Sequence, residues 1–165
     1  METRAGLFII HGCVIGATVL GGLVAGMAFD RSAVQFNAWW HVGATSWAAF
    51  TREADLGRGF ILYPIIGIGA LALCIAAAIA FRLTRPAASS AAIPIYAAAV
   101  LSVAALIVTQ QALAPHVLAL RSINGNLAAL QLTFEKVAKW WIIKTVLHVM
   151  TFAANIWALA ALDRN

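Results

Sequence analysis

The chain has 165 residues, of which 63% are hydrophobic and 10% charged, and its mean hydropathy is +0.90. A soluble domain carries about 25% charged residues, so this balance excludes an ordinary soluble globular protein and predicts an integral membrane protein. The net charge of +5 does not point to nucleic acid, because the basic residues form no cluster and sit at segment ends, where Lys and Arg anchor to lipid headgroups.

Four apolar runs reach the ~20 residues that span a bilayer. They cover about 5–28, 59–81, 91–113 and 137–162. They predict a single all-α domain over 1–165, an up-and-down four-helix transmembrane bundle. Both long loops, 29–58 and 114–136, then share one face, and the short loop 82–90 shares the other with both termini. The first run is too long for the apolar core of a signal peptide and shows no clear small-residue cleavage site, so no cleavable signal is expected. It is rich in small residues at four-residue spacing: Gly12 and Gly16, Ala17 and Gly21, Gly22 and Gly26. Such spacing lets two helix backbones approach closely. The first helix is therefore expected to pack along most of its length, against a neighbour within the chain or in a second subunit. Cys13 and Cys74 lie inside apolar runs and read as small fillers, with no disulfide expected.

The first long loop carries the strongest pattern. At 100° per residue, Phe36, Trp39, Trp40, Gly43, Trp47 and Phe50 fall on one side, and Asn37, His41, Thr45, Arg52 and Asp55 on the other. This predicts an amphipathic helix over about 34–55, parallel to the membrane plane. Its aromatic face is expected toward lipid at headgroup level or in the groove between helices, and its polar stripe inward. Arg52 is expected to pair with Asp55 at i, i+3. Residues 55–59 break the helix before Tyr63-Pro64 opens the second apolar run.

The third run offers Ser102, Thr109, Gln110 and Gln111, and Pro115-His116 and Arg121 follow it. In the fourth run Lys144, His148, Thr151 and Asn155 recur at spacings of four, three and four. Polar groups in hydrocarbon are costly, so this stripe must face the bundle interior. His11 and Asn155 fall at similar depth and are expected to hydrogen-bond; Thr18 or a trapped water is the expected partner of His148. No two of the four histidines stand at i, i+4, and His11 and His148 are offset by roughly 10 Å along the bundle. No metal and no cofactor are therefore expected. His41 and His116 belong to the same face and, with Asp55 or Glu53, could bind a metal there or act as an acid–base pair.

Arg82 and Arg85 in the short loop favour a cytoplasmic location for both termini, in a bacterial inner membrane, although the long-loop face holds more basic residues.

With these residues in view the chain resembles the anthrone-oxygenase-like family of small four-helix membrane proteins. The resemblance rests on Trp47 through Thr51-Arg52, Ala54-Asp55-Leu56-Gly57-x-Gly59 with Tyr63-Pro64, Pro115 with Arg121, and Phe134-Glu135 with Trp140. Where such proteins often carry Asn after that proline, this chain carries His116. The resemblance implies cofactor-independent oxidation of a lipid-soluble aromatic substrate at the mouth of the bundle. Trp39, Trp40, Trp47 and Tyr63 would bind the substrate. His41, His116 or Asp55 would take a proton from a C–H beside a carbonyl, and Arg52 and Arg121 would stabilise the enolate. The expected partners are the bilayer and a hydrophobic small molecule. Two other readings remain open. One is a non-catalytic assembly subunit or homo-oligomer held through the first helix. The other is a small transporter or proton path along Lys144, His148, Thr151 and Asn155, against which the chain shows no inverted repeat.

Overall fold

Alanine and leucine lead the helix propensities, and they dominate the apolar runs. A computed structural model describes residues 4–84, 90–123 and 125–164. The described residues are all-helical. They form α1 (Arg4–Asp30), α2 (Phe36–Val42), α3 (Ala44–Glu53), α4 (Gly59–Thr84), α5 (Ala92–Val108), α6 (Ala114–Ala119) and α7 (Leu127–Leu162). Wide, π-type turns at Arg31–Gln35, Ala54–Arg58 and Thr109–Leu113 carry α1 into α2, α3 into α4 and α5 into α6. The result is four long helical stretches, Ala5–Val42, Ala44–Thr84, Ala92–Ala119 and Leu127–Leu162. Each is long and apolar enough to cross a membrane.

The breaks between stretches have local causes. Gly43 adopts φ +94°, ψ 160°, a conformation open to glycine alone. Gly125 has φ +72°, and Asn126 then caps α7 by accepting the Ala129 N–H at 3.0 Å.

α1 packs on α4 and α7, and α5 packs on the same two helices, which closes a ring of four. Small residues set the approach. A Cβ on Gly16 would lie 2.9 Å from Leu73, and one on Gly22 3.0 Å from Phe152. Gly21 faces the Asn155 amide. Gly16, Gly21 and Gly22 thus take neighbours within the chain, whereas Gly12 and Gly26 face open space. The core falls into three parts. Ile10, Val14, Phe81, Ile95 and Leu162 fill the end that holds the start of α1. Ala17, Cys74, Ala98 and Ala154 make a small-residue middle. Phe36, Trp39, Trp47, Leu113, Leu120, Phe134 and Val137 fill the other end. There the Phe134 ring lies 4.5 Å from Trp40, 5.0 Å from Trp47 and 5.8 Å from Phe36. Such pairs add about 0.5–1.5 kcal/mol each beyond their buried area.

The predicted single helix over 34–55 is two helices broken at Gly43, and α2 continues α1. Of the two places expected for its aromatic face, Phe36, Trp39 and Trp47 take the groove between helices, and the first half of the polar stripe faces outward. Phe36, Trp39 and Trp47 are buried in the core, while Asn37, His41 and Thr45 are exposed. The reason is Phe134, Leu113, Leu120 and Val137, which arrive from later in the chain and offer the rings a dry surface. α7 begins at Leu127, well before the expected 137. Large apolar side chains also cover the outer surface; Phe8, Ile61 and Leu83 are each more than half exposed.

Candidate functional site

Between the small-residue middle and the aromatic end, α1, α4, α5 and α7 enclose a cavity of about 260 Å³. Its depth is lined by Ala17, Gly21, Ala70, Cys74 and Ser102, and its mouth by Asp30, Arg31, Gln35, Tyr63 and Gln110. The space exists because the facing residues are small. A Cβ on Gly67, which also lines the cavity, would have no heavy atom within 4 Å.

One face of α7 supplies the polar wall: Trp141, Lys144, His148 and Thr151. The ammonium of Lys144 lies 4.7 Å from the Trp141 ring centroid, a cation–π contact. Among the described residues neither Lys144 nor His148 has a hydrogen-bond or ion-pair partner. The nearby hydroxyls are spent on their own helices: Ser102 donates to Ala99 O at 2.9 Å, Thr109 to Ala105 O at 2.8 Å and Thr151 to Leu147 O at 2.8 Å. Two buried polar atoms of lining residues lack partners, Gln35 Oε1 and Trp141 Nε1.

At the mouth Arg31 and Asp55 form a two-pronged ion pair, Nη1 to Oδ2 and Nη2 to Oδ1, the latter at 2.8 Å. Their side chains are 7% and 10% exposed. Each sits on a wide turn, Arg31 after α1 and Asp55 before α4. The second turn needs glycine at 59, where a Cβ would lie 2.5 Å from Ala54 O and 2.6 Å from the Tyr63 ring. Three rings surround the Arg31 guanidinium: Trp141 at 4.7 Å, Trp39 at 5.6 Å and Phe50 at 5.9 Å. Two cations thus share Trp141 with one carboxylate. Asp30, the other acid at the mouth, is held by the Gln35 amide at 2.6 Å.

The residues expected from the sequence divide sharply. Lys144, His148, Thr151 and Tyr63 line the cavity. Asp55 reaches its mouth, but as the partner of Arg31. Arg52 does not pair with Asp55. It donates from Nε to Leu120 O at 3.0 Å and from Nη2 to Ile123 O, because the end of α6 presents unpaired carbonyls to it. His41 is exposed on α2 and bonds its own Asn37 O at 2.8 Å. His116 is half-buried on α6, and no hydrogen bond or ion pair joins it to His41 among the described residues. Arg121 is exposed, with its guanidinium 5.1 Å from the Phe60 ring. Trp39 and Trp47 belong to the core and Trp40 is half-exposed. The expected pairs of the α7 stripe also differ. His11 bonds Leu7 O at 3.0 Å and lies 3.6 Å from Asp163. Asn155 pairs instead with the thiol of Cys74, which donates to its Oδ1 at 3.8 Å. Thr18 donates to Val14 O at 2.7 Å rather than meeting His148.

Arg31, Gln35 and Trp141 escaped the sequence reading. Trp141 had a signal, since it precedes Lys144 by one helical turn, the spacing of a cation–aromatic pair. Among the described residues no group of three His, Cys, Asp or Glu side chains is placed to hold a metal ion. No known family model matches the chain, and no curated protein or solved structure is similar to it.

Proposed function

We propose that the chain is a multi-pass membrane protein, an up-and-down four-helix bundle, whose cavity oxidises a lipid-soluble aromatic substrate in the manner of the anthrone-oxygenase-like family. The four apolar stretches and the apolar outer surface support insertion. The contacts of α1 with α7 run in opposite senses, from His11 with Asp163 through Gly21 with Asn155 to Ala28 with Thr145, which supports the up-and-down order. A cytoplasmic location for both termini rests on Arg82 and on Arg85, which lies outside the described residues.

One observation carries the reading: an amine and an imidazole without protein partners face an apolar cavity. An intramembrane ionisable residue is costly and marks function by default. The chemistry moves from the mouth, where Asp55 and Arg52 are already engaged, to the cavity. His148 takes a proton from the CH2 that is conjugated to the carbonyl through the aryl rings. Lys144 stabilises the enolate oxygen. It stands four residues away, about 6 Å along the helix axis, and in an anthrone the carbonyl and the methylene lie at opposite edges of the central ring. The carbanion adds O2 to give a hydroperoxide. The O–O bond then breaks, water leaves, and a second carbonyl remains. One CH2 and one O2 become one C=O and one H2O.

Purified protein in lipid nanodiscs, incubated with anthrone in air-saturated buffer, should form anthraquinone above the spontaneous rate and consume one O2 per quinone. His148→Gln should lower that excess by about 100-fold or more, the span of a lost general base. A rate equal to the spontaneous one refutes the proposal. Loss confined to His41→Ala would return the chemistry to the mouth and refute the cavity as its site.

The homo-oligomer reading keeps one observation in its favour, the outward position of Gly12 and Gly26 on α1. Native mass spectrometry in mild detergent tests it, with a strict monomer as the result against.

A further inference from the structure

The polar groups of the cavity are sorted along its length, and the sorting selects a ligand. In the depth, Ser102 and Thr151 have given their protons to helix carbonyls, and the remaining lining there is small and apolar, with Ala17, Ala70 and Cys74. Toward the mouth stands the Lys144 ammonium, with no acid at ion-pair distance among the described residues, its charge 4.7 Å from the Trp141 ring. Arg31 adds a guanidinium 4.7 Å from the same Trp141 ring, but Asp55 already takes its charge. Asp30 lies exposed at the mouth on the neutral Gln35 amide, so among the described residues Lys144 is a lining cation with no acid at ion-pair distance. An ammonium with three donors and no acid partner selects an acceptor that is itself an anion.

We infer that the upper cavity is a binding site for the carboxylate of an amphiphile, with the acid held by Lys144 and the apolar body lying in the small-residue depth along Gly67. The inference rests on the cavity being the ligand site of the proposed function, and not on the oxidation. Its two sources are a fatty acid and an aromatic acid. They share the carboxylate on an apolar body and differ in the body.

The full chain in lipid nanodiscs would be titrated with decanoate and with 9-anthracenecarboxylate, each against its neutral counterpart, decanol and 9-anthracenemethanol. Binding is read by calorimetry, with no turnover required. The acid of at least one pair should bind at least tenfold more tightly than its alcohol. Whichever acid shows the preference names the source. Lys144→Met should weaken that acid about tenfold to a hundredfold, the range of a hydrogen bond to a charged group. It should leave the alcohol within about twofold. Lys144→Arg should keep the preference, which separates charge from packing. Gly67→Leu should weaken acid and alcohol alike, because its side chain enters open space in the cavity. Equal binding of acid and alcohol, no binding of either acid, or an acid preference that survives Lys144→Met overturns the inference. Acid binding that depends on Lys144 without quinone formation leaves this site standing and removes the oxidation. Quinone formation with no acid preference does the reverse.

Discussion

Asp55→Ala tests whether the mouth of the cavity is built on a buried ion pair. The substitution leaves the Arg31 guanidinium, 7% exposed, without its carboxylate. Removing one partner of a buried pair typically costs 3–5 kcal/mol, because the other charge stays buried and uncompensated. The rings of Trp141, Trp39 and Phe50 lie within 6 Å of that guanidinium and still solvate it in part, which places the expected cost at the lower end, about 3 kcal/mol. That is more than a hundredfold in the folding equilibrium. Equilibrium unfolding in mixed micelles, followed by tryptophan fluorescence, reads it directly. The double variant Arg31→Met with Asp55→Leu removes both charges and should recover wild-type stability or exceed it. A cost below about 1 kcal/mol for Asp55→Ala, the worth of an exposed pair, would refute the reasoning. So would a double variant as unstable as the single one.

Three further outcomes follow from the geometry. Arg52→Ala removes two charge-assisted hydrogen bonds to Leu120 O and Ile123 O; it should cost about 2–3 kcal/mol and speed hydrogen exchange at residues 120–123. Gly59→Ala places a Cβ 2.5 Å from Ala54 O; it should destabilise by about 1–3 kcal/mol and loosen the turn that carries Asp55, read as faster exchange of the Asp55 amide. His148→Leu breaks no protein hydrogen bond, so thermal unfolding should show a change within about 1 kcal/mol while quinone formation falls.

Composition and period made the four apolar helices legible, because a run of some twenty apolar residues has few other uses. The extensions were not. The first turns of α7, LAALQLTFEK, mix Gln131, Glu135 and Lys136 with apolar residues, and hydropathy sees only the part that could enter a bilayer. The start was written in Gly125-Asn126, a positive-φ glycine followed by a capping Asn. The wide turns had no signal, since i→i+5 pairing is a local response to packing. The aromatic stripe over 36–50 was legible in its period, but its direction stayed open between lipid and the groove between helices. Tryptophan suits a headgroup layer and a core equally well, and what decided between them was Phe134, about a hundred residues away. Arg52 and Asp55 failed for a related reason. The i, i+3 argument compares only neighbours on one helix, and each residue found a stronger partner from another element, Leu120 and Ile123 for one and Arg31 for the other. The α7 stripe survived because its logic is global: a polar face on an apolar helix has one place to go.

The cavity itself argues for use. Filling 260 Å³ with side chains would be worth about 6 kcal/mol at ~24 cal/mol per Å³, a large share of the 5–15 kcal/mol that holds a typical domain together. The means were at hand, because Gly67 has open space where a side chain would fit and Ala17 and Ala70 border the same volume. The chain instead keeps small residues there and adds a lysine with no hydrogen-bond or ion-pair partner among the described residues, a charge that is costly to bury. Two separate departures from the stable choice meet in one place. Local rules are broken together mainly at functional sites, where a ligand or a reaction compensates. A cavity retained only by drift would lack the second departure, since nothing about a packing defect calls for an ammonium and an imidazole on its wall.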